Sequence, residues 1–336
     1  MHAAPKPGFY FRRGSYWPKC RAAPISRYHC KSCGRSFSRQ TFRHDYRDHR
    51  PEINEQLFLL LTSGVGLRQC SRLLSTGVRC PQQKLVKMGR TLAWLRNNLC
   101  PSLPGGRVFL MDEEETYEGA SIRPLTMPVV IDRQTWFVVD VDVGPIRRLA
   151  RRGTRRRALQ DEDEAENGRR PDRSRQCVER VLCTLAAKCP EGPVLLQTDK
   201  KSSYPTLARR LLGDRVTHEV TSSKRARDRR NPLFPINVTL AMTRDNCGRL
   251  RRKSWLVTKL ASRLFHHVQL FAVYRNFVRR RFNRDEESET PARLLGLVPR
   301  NLAAGEVLAW RQDWGESSIH PMSSKGAHTV RDRMPA

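Results

Sequence analysis

Two aspartates each follow a short apolar run. The first run is Val108-Phe109-Leu110-Met111, which ends in Asp112-Glu113-Glu114-Glu115, and the second is Val194-Leu195-Leu196-Gln197-Thr198, which ends in Asp199. A carboxylate at the end of a buried strand is held on a rigid element. Two of them, brought together, can grip Mg²⁺ or Mn²⁺, hard ions that take oxygen ligands. A pair of such ions about 3.5–4 Å apart activates the attacking oxygen and stabilises the leaving oxygen of a phosphodiester. An aspartate after a strand is also an ordinary turn residue, so the pairing of Asp112 with Asp199 is what distinguishes the two readings. Glu113, Glu114 and Glu115 compete with Asp112 for the first position. A third carboxylate should come from the following helix, and between Asn231 and Asn246 the only acid is Asp245.

The second chemical signal is Tyr28-His29-Cys30-Lys31-Ser32-Cys33-Gly34-Arg35-Ser36-Phe37. Two thiolates in a C-x-x-C spacing can grip one Zn²⁺, and the glycine after them permits a tight knuckle turn. Tyr28 and Phe37 can supply the small aromatic core of a zinc ribbon. Cys20 is the third candidate ligand, and His29 or His44 the fourth. A redox C-x-x-C is the rival, but it should open a helix beside a βαβ pattern, and none follows. The other seven cysteines are scattered in helix-like runs and read as small buried hydrophobes.

These groups need elements to position them. Residues 107–111, 127–131 and 135–143 have strand character. A helix is expected over 177–188, a strand over 193–199, a helix over 207–212 and a fifth strand over 216–220. Three strands, a helix, a strand with a terminal acid, a helix and a strand is the order of an RNase H-like mixed α/β fold. In that fold the first and fourth strands are neighbours, so Asp112 and Asp199 would meet.

The organisation expected around this core is a knuckle at 1–50, a helix-turn-helix unit at 51–100, the core at 105–284 and a tail at 285–336. The last is rich in Pro, Ser and Gly and reads as partly disordered. In the helical unit, Ile53, Leu57, Leu60 and Leu61 share one face. A break at Ser63–Gly66 and a short helix follow, and then a long helix with Leu85, Met88, Leu92 and Leu95 on one side. Its Lys84, Lys87 and Arg90 lie on or near the polar side and can meet phosphates. The segment 145–175 has almost no apolar content, so it reads as a mobile, self-neutralising insertion. Residues 231–283 read as one long basic helix, with Trp255 in the core.

The chain has 336 residues with 63 Lys+Arg against 33 Asp+Glu, a formal charge of +30. Residues 215–284 alone hold 18 of the basic groups and three acids. Cations held this close repel one another unless an anion screens them, which points to nucleic acid. Arg249, Arg251, Arg252, Lys253 and Lys259 are the candidate strand-binding cations. No unbroken apolar run is long enough for a membrane span, and the start of the chain lacks the apolar segment of a secretory signal.

Tyr28–Phe37, followed by Gly64–Leu74 (GVGLRQCSRLL), resembles the N-terminal zinc ribbon and helix-turn-helix of bacterial insertion-sequence transposases of the acidic-triad (DDE) type. Asp112-Glu113 resembles the first-acid strand of that group, and Leu195–Tyr204 (LQTDKKSSY) the second. Ile236–Lys259 is similar to the helix that carries Asn, basic residues and then Thr-Lys. The resemblance implies a Mg²⁺-dependent nuclease and strand transferase of the cytoplasm and nucleoid, binding terminal inverted repeats and target DNA as an oligomer. Two departures stand out. Phe234-Pro235-Ile236 occupies the place of the helix glutamate, and the knuckle has one upstream cysteine instead of two. Two functions are therefore open, an active transposase and a relative that binds DNA without cutting it.

Overall fold

The computed structural model describes residues 8–222, 224–226, 228–251, 255–282 and 288–312. Its centre is a six-stranded sheet built from β4 (Val108–Tyr117), β5 (Pro124–Asp132), β6 (Val138–Val141), β7 (Gly144–Pro145), β8 (Val194–Thr198) and β9 (Val216–Val220). The main path runs β6-β5-β4-β8-β9, with β7 added beside β5. β4, β5 and β6 are antiparallel, whereas β8 and β9 continue the sheet in parallel. This is the strand order of an RNase H-like core.

The sheet has two covered faces, and each is read from alternate residues of β4. Phe109 and Met111 cluster with Val130 and Leu196 and with helices α5 (Ser174–Lys188) and α6 (Ser203–Leu212). Leu110 joins Met127, Val129 and Ile131 on the other face, under α7 (Phe234–Asn246) and α8 (Ala261–Val273). Cover on both sides explains why every residue of β5 is buried. Each fully buried Leu, Ile or Val in these layers contributes about 1.5–3 kcal/mol.

The expected helical unit forms α1 (Asn54–Leu61), α2 (Leu67–Leu73) and α3 (Arg79–Leu99). Its apolar faces belong to the same continuous cluster as Phe109 and Met111. α3 crosses α8 closely enough that a Cβ on Gly89 would lie 2.7 Å from His266 Cβ and 2.8 Å from its carbonyl oxygen. Arg96, 2% exposed, extends from α3 to an ion pair with Asp140 on β6. Thr184 of α5 donates to the same carboxylate at 2.6 Å.

The N-terminal segment is a three-stranded antiparallel sheet of β1 (Tyr10–Tyr16), β2 (Ile25–Cys30) and β3 (Ser36–Ser38). Tyr28 and Phe37 stack with centroids 5.5 Å apart, and Tyr10 meets Tyr28 edge-on at 5.4 Å. This is the small aromatic core expected from the spacing.

Four expectations change. The segment 145–175 contains an ordered helix, α4 (Arg155–Asn167). Its acids are taken up by Arg123, which pairs with Asp163, and by Arg147, which pairs with Glu164 at 2.7 Å. Gln160 is buried beneath and accepts from Ala150 N. Local charge pairing thus replaces the missing apolar face. The long basic helix of 231–283 is instead α7, a short 3₁₀ turn at Gly248–Leu250, a loop, the largely apolar α8 and a π-turn at Tyr274–Val278. Trp255 is 95% exposed in that loop, because Val257 takes the buried position and Leu256 packs against Gly66 and Gly248. The tail also contributes to the core. It carries α9 (Pro291–Leu294) and α10 (Ala304–Ala309), and Ala292, Val307 and Trp310 are buried in the first cluster.

Two outcomes follow from this packing. Gly89→Ala is expected to destabilise by about 1–3 kcal/mol through overpacking, opposite in sign to the ~1 kcal/mol gain of Gly→Ala in an open helix; urea unfolding reads the sign. His44 and His267 are held down to about 4, in each case chiefly by burial, and both are therefore neutral in the fold. Their unfolded values lie near ~6.5, so the unfolded chain takes up protons first as pH falls. Stability is then fully present above pH ~6.5 and is lost progressively towards pH ~4. His267→Gln, which can still donate to Leu61 O, should shrink the drop in urea midpoint between pH 7 and pH 5.

Candidate active site

β4 and β8 run side by side with Val108 opposite Leu195, Phe109 opposite Leu196 and Leu110 opposite Gln197. Two residues further along each strand come Asp112 and Asp199. Alternation from Leu110 and Gln197 puts both on the face covered by α7, Asp112 within β4 and Asp199 one residue past the end of β8. Both are half-exposed. Asp112 Oδ1 accepts from Glu113 N at 2.7 Å, and Asp199 Oδ1 accepts from Lys201 N at 3.2 Å.

Strand alternation and ion pairing set the three glutamates apart from Asp112. Glu113 and Glu115 point to the opposite face. Glu113 is saturated there: Lys201 Nζ donates to Oε1 at 2.5 Å, Tyr204 Oη to the same oxygen at 2.6 Å, and Thr126 Oγ1 to Oε2 at 2.5 Å. Tyr204 is 1% exposed. Burial raises its pKa most, Glu113 adds to this, and Asp199 and Asp112 add further, so it stays a phenol donor. Glu114 shares the face of Asp112 but pairs with Arg244 of α7 at 2.5 Å. Thr198 Oγ1 donates to Asp199 O at 2.8 Å, so towards His218 Nε2, also at 2.8 Å, it accepts.

Asp245 lies on the exposed side of α7, one residue beyond Arg244, with its carbonyl against Gly64. Among the described residues no group of three or more His, Cys, Asp or Glu side chains is gathered so as to hold a metal. That holds for Asp112, Asp199 and Asp245, and equally for Cys20, Cys30 and Cys33. Cys30 is buried and Cys33 exposed at the β2–β3 turn, where Gly34 (φ 66°) donates back to Cys30 O at 3.0 Å. Cys20 Sγ instead donates to Asp48 O at 3.3 Å. Two carboxylates are the kind of donor that a hard divalent ion takes; among the described residues the three cysteines are not gathered into one set.

The candidate cations divide into two kinds. Lys84 is 4% exposed, pairs with Asp48, and donates to Arg50 O at 2.8 Å and Asn54 Oδ1 at 2.6 Å. Burial would raise the Asp48 pKa, but the hydrogen bonds from Lys84, Arg50 N and Asn54 hold it below its usual value. Arg249 is enclosed, and burial, with Arg263 nearby, depresses its pKa to about 10. Lys87 caps Tyr46 O at 2.8 Å, whereas Arg90, Arg251 and Lys259 are exposed. Arg252 and Lys253 lie outside the described residues.

The sequence reading missed Lys201, Tyr204, Thr126 and Arg244, all of which organise the acids. Lys201 and Tyr204 follow Asp199 by two and five residues, a spacing that places them at the opening of α6 beside β4. Thr126 and Arg244 carry no local signal, because their partners are distant in sequence.

Lys84→Met is expected to lower stability by about 3–5 kcal/mol, since it leaves the Asp48 carboxylate without its buried counter-ion. An unchanged urea midpoint would contradict this assignment.

No family model matches the chain, and no curated protein matches it. Among solved structures, the chain is similar to the cryoEM structure of the simian T-cell lymphotropic virus intasome in complex with PP2A regulatory subunit B56 gamma. The identity is 10%, the match covers 72% of this chain and 72% of that chain, and the TM-score is 0.32. At that TM-score the likeness does not bear on function.

Proposed function

We propose that this chain is a transposase-like DNA-binding protein that cleaves and transfers DNA strands at Asp112 and Asp199. The observation that supports the reading is the β4–β8 register, in which Leu110 lies opposite Gln197, each two residues ahead of a half-exposed aspartate. Asp112 and Asp199 would hold the divalent cations. Mg²⁺ or Mn²⁺, when bound, supplies charge stabilisation and an activated attacking oxygen for phosphodiester cleavage. The remaining work falls to the chain itself. Lys201 N orients the Asp199 carboxylate. Lys201 Nζ and Tyr204 Oη tie the opening of α6 to Glu113, which keeps the β4 and β8 ends in step.

DNA would be drawn by the cationic surface. On the outer side of α3, Arg90 and the half-exposed Lys87 flank Trp94, which is 53% exposed. Arg251, Trp255 and Lys259 form a second basic and aromatic stretch in the loop after α7. Cations of this kind bind phosphates with strong salt dependence, and exposed indoles can stack on bases. The resemblance to DDE insertion-sequence transposases adds inverted-repeat recognition and assembly as an oligomer to the proposal.

One observation favours a second reading, DNA binding without cleavage. Asp245 does not join the other two acids, and Arg244 and Lys201 occupy the neighbouring glutamates.

The test is a nicking assay with Mg²⁺ or Mn²⁺ on the DNA flanking the protein's own gene, alongside binding measured across salt concentration. Asp112→Asn and Asp199→Asn are expected to abolish nicking and keep binding. Arg90→Ala should reduce the slope of log K against log salt by about one. Mutants that nick like wild type would place the chemistry elsewhere. A wild-type protein that binds tightly and never nicks would leave the second reading.

A further inference from the structure

Two long stretches of the chain, 56–111 and 246–284, contain no Asp or Glu. The fold packs them together where α3 meets α8. Gly89 lies there against the backbone of His266, and a Cβ added to it would be 2.9 Å from His266 Cα. Arg90 follows Gly89 on α3. On α8, Arg263 precedes His266 by three residues, one turn along the same side of the helix. The loop before α8 brings in Arg249. Arg249 Nη1 donates to Thr258 Oγ1 at 3.5 Å, and Thr258 N donates back to Arg249 O at 3.2 Å. Thr258 Oγ1 and Arg263 N both donate to Leu260 O, each at 3.0 Å.

This cluster gathers cations without acids. Burial and Arg263 lower Arg249 to about 10, and burial, Arg90 and Arg263 lower His266 to about 4; no carboxylate acts on either. At neutral pH the guanidinium therefore keeps its charge and the imidazole is neutral. Arg249 Nε and His266 Nδ1 are buried and have no hydrogen-bond partner among the described residues. Glu118, the acid that reaches the start of α8, is taken by Ala261 N at 2.6 Å and by Arg170 at 3.6 Å. An enclosed guanidinium without a partner is costly, and arginine does not shed its proton to escape that cost. An anion satisfies it. Phosphate suits the cluster best, because its several oxygens accept from different directions and match the fork of arginine donors. Arg251 and Lys259 are exposed in the same loop, so the positive surface continues past the cluster, as a phosphate within a chain requires.

We propose that Arg249 and Arg263, with Arg90 at the rim, form a binding site for one backbone phosphate of DNA where α3 meets α8. This rests on the reading of the chain as a DNA-binding protein. It joins the two cationic stretches of that reading, on α3 and in the loop after α7, into one surface. Close backbone packing at Gly89 sets the separation of the two helices before DNA arrives, which reduces the ordering that binding must supply.

The experiment measures binding of a fluorescein-labelled DNA duplex of arbitrary sequence to the full-length protein, by anisotropy across salt concentration, alongside urea unfolding of the free protein. Arg249→Met and Arg263→Met should each weaken binding about tenfold and reduce the slope of log K against log salt by about one. Arg263 and Arg249 repel each other in the free protein, so Arg263→Met should keep or raise the urea midpoint while it weakens binding. Arg209→Met removes the same charge from the exposed side of α6, on the opposite face of the sheet, and should bind like wild type. If both cluster mutants bind like wild type, the phosphate site is overturned and the DNA-binding reading stands. An equal loss in Arg209→Met would reduce the effect to net charge and overturn the site. A lower urea midpoint in Arg263→Met would make that side chain structural and overturn its assignment. A wild-type protein that binds no duplex at low salt would overturn the DNA-binding reading and this site together. Should Arg249→Met fail to fold by circular dichroism, Arg263→Met decides alone.

Discussion

Parallel pairing of β4 with β8 is the contact on which the rest depends. It joins residues almost ninety positions apart, and its register decides which side chains share a height and a face. A slip of one residue would turn Asp199 to the α5–α6 side and leave Asp112 facing α7 without it. The register is fixed by burial, because Phe109, Met111 and Leu196 must enter one core and Leu110 the other. Hydrophobic layering thus sets Asp112 and Asp199 on one face of the sheet.

The surrounding charges are arranged around that pair. Glu113 and Glu114, which directly follow Asp112 in sequence, are each neutralised from a different element, by Lys201 on one face and Arg244 on the other. Each of these charges is met by its own counter-ion. The same logic holds in α4, whose acids are paired with Arg123 and Arg147. Much of the acidic content is thereby spent internally. The large cationic excess is left on the outside, where it is available to a polyanion.

The helical unit is joined to the core by shared packing and by buried charge. α1 and α3 enter the same apolar cluster as the sheet, and Arg96 with Asp140 ties α3 to β6. Lys84 with Asp48 and Asn54 ties α3 to the segment after the N-terminal sheet. Such pairs do little for net stability compared with apolar residues of the same size, yet removing one partner is costly. They fix orientation, and motion of α1–α3 relative to the central sheet would have to break them.

The sequence alone determined the order of strands and helices, the pairing of Asp112 with Asp199 as candidates, the aromatic core of the N-terminal sheet and the cationic surface. Each of these rests on local periodicity, residue type or charge count, which a chain carries without folding. Tertiary structure decided what depends on distant partners. Lys84 looks like a phosphate ligand by composition and is a buried counter-ion by position. Trp255 looks like core by type and is exposed, because Leu256 and Val257 reach the apolar surface first. The charged run at 145–175 has no apolar face to predict a helix, and its order comes from arginines elsewhere. Asp245 has the right chemistry on the right helix but points outward. Gln197, unremarked in sequence, meets Glu219 only once β8 and β9 lie side by side.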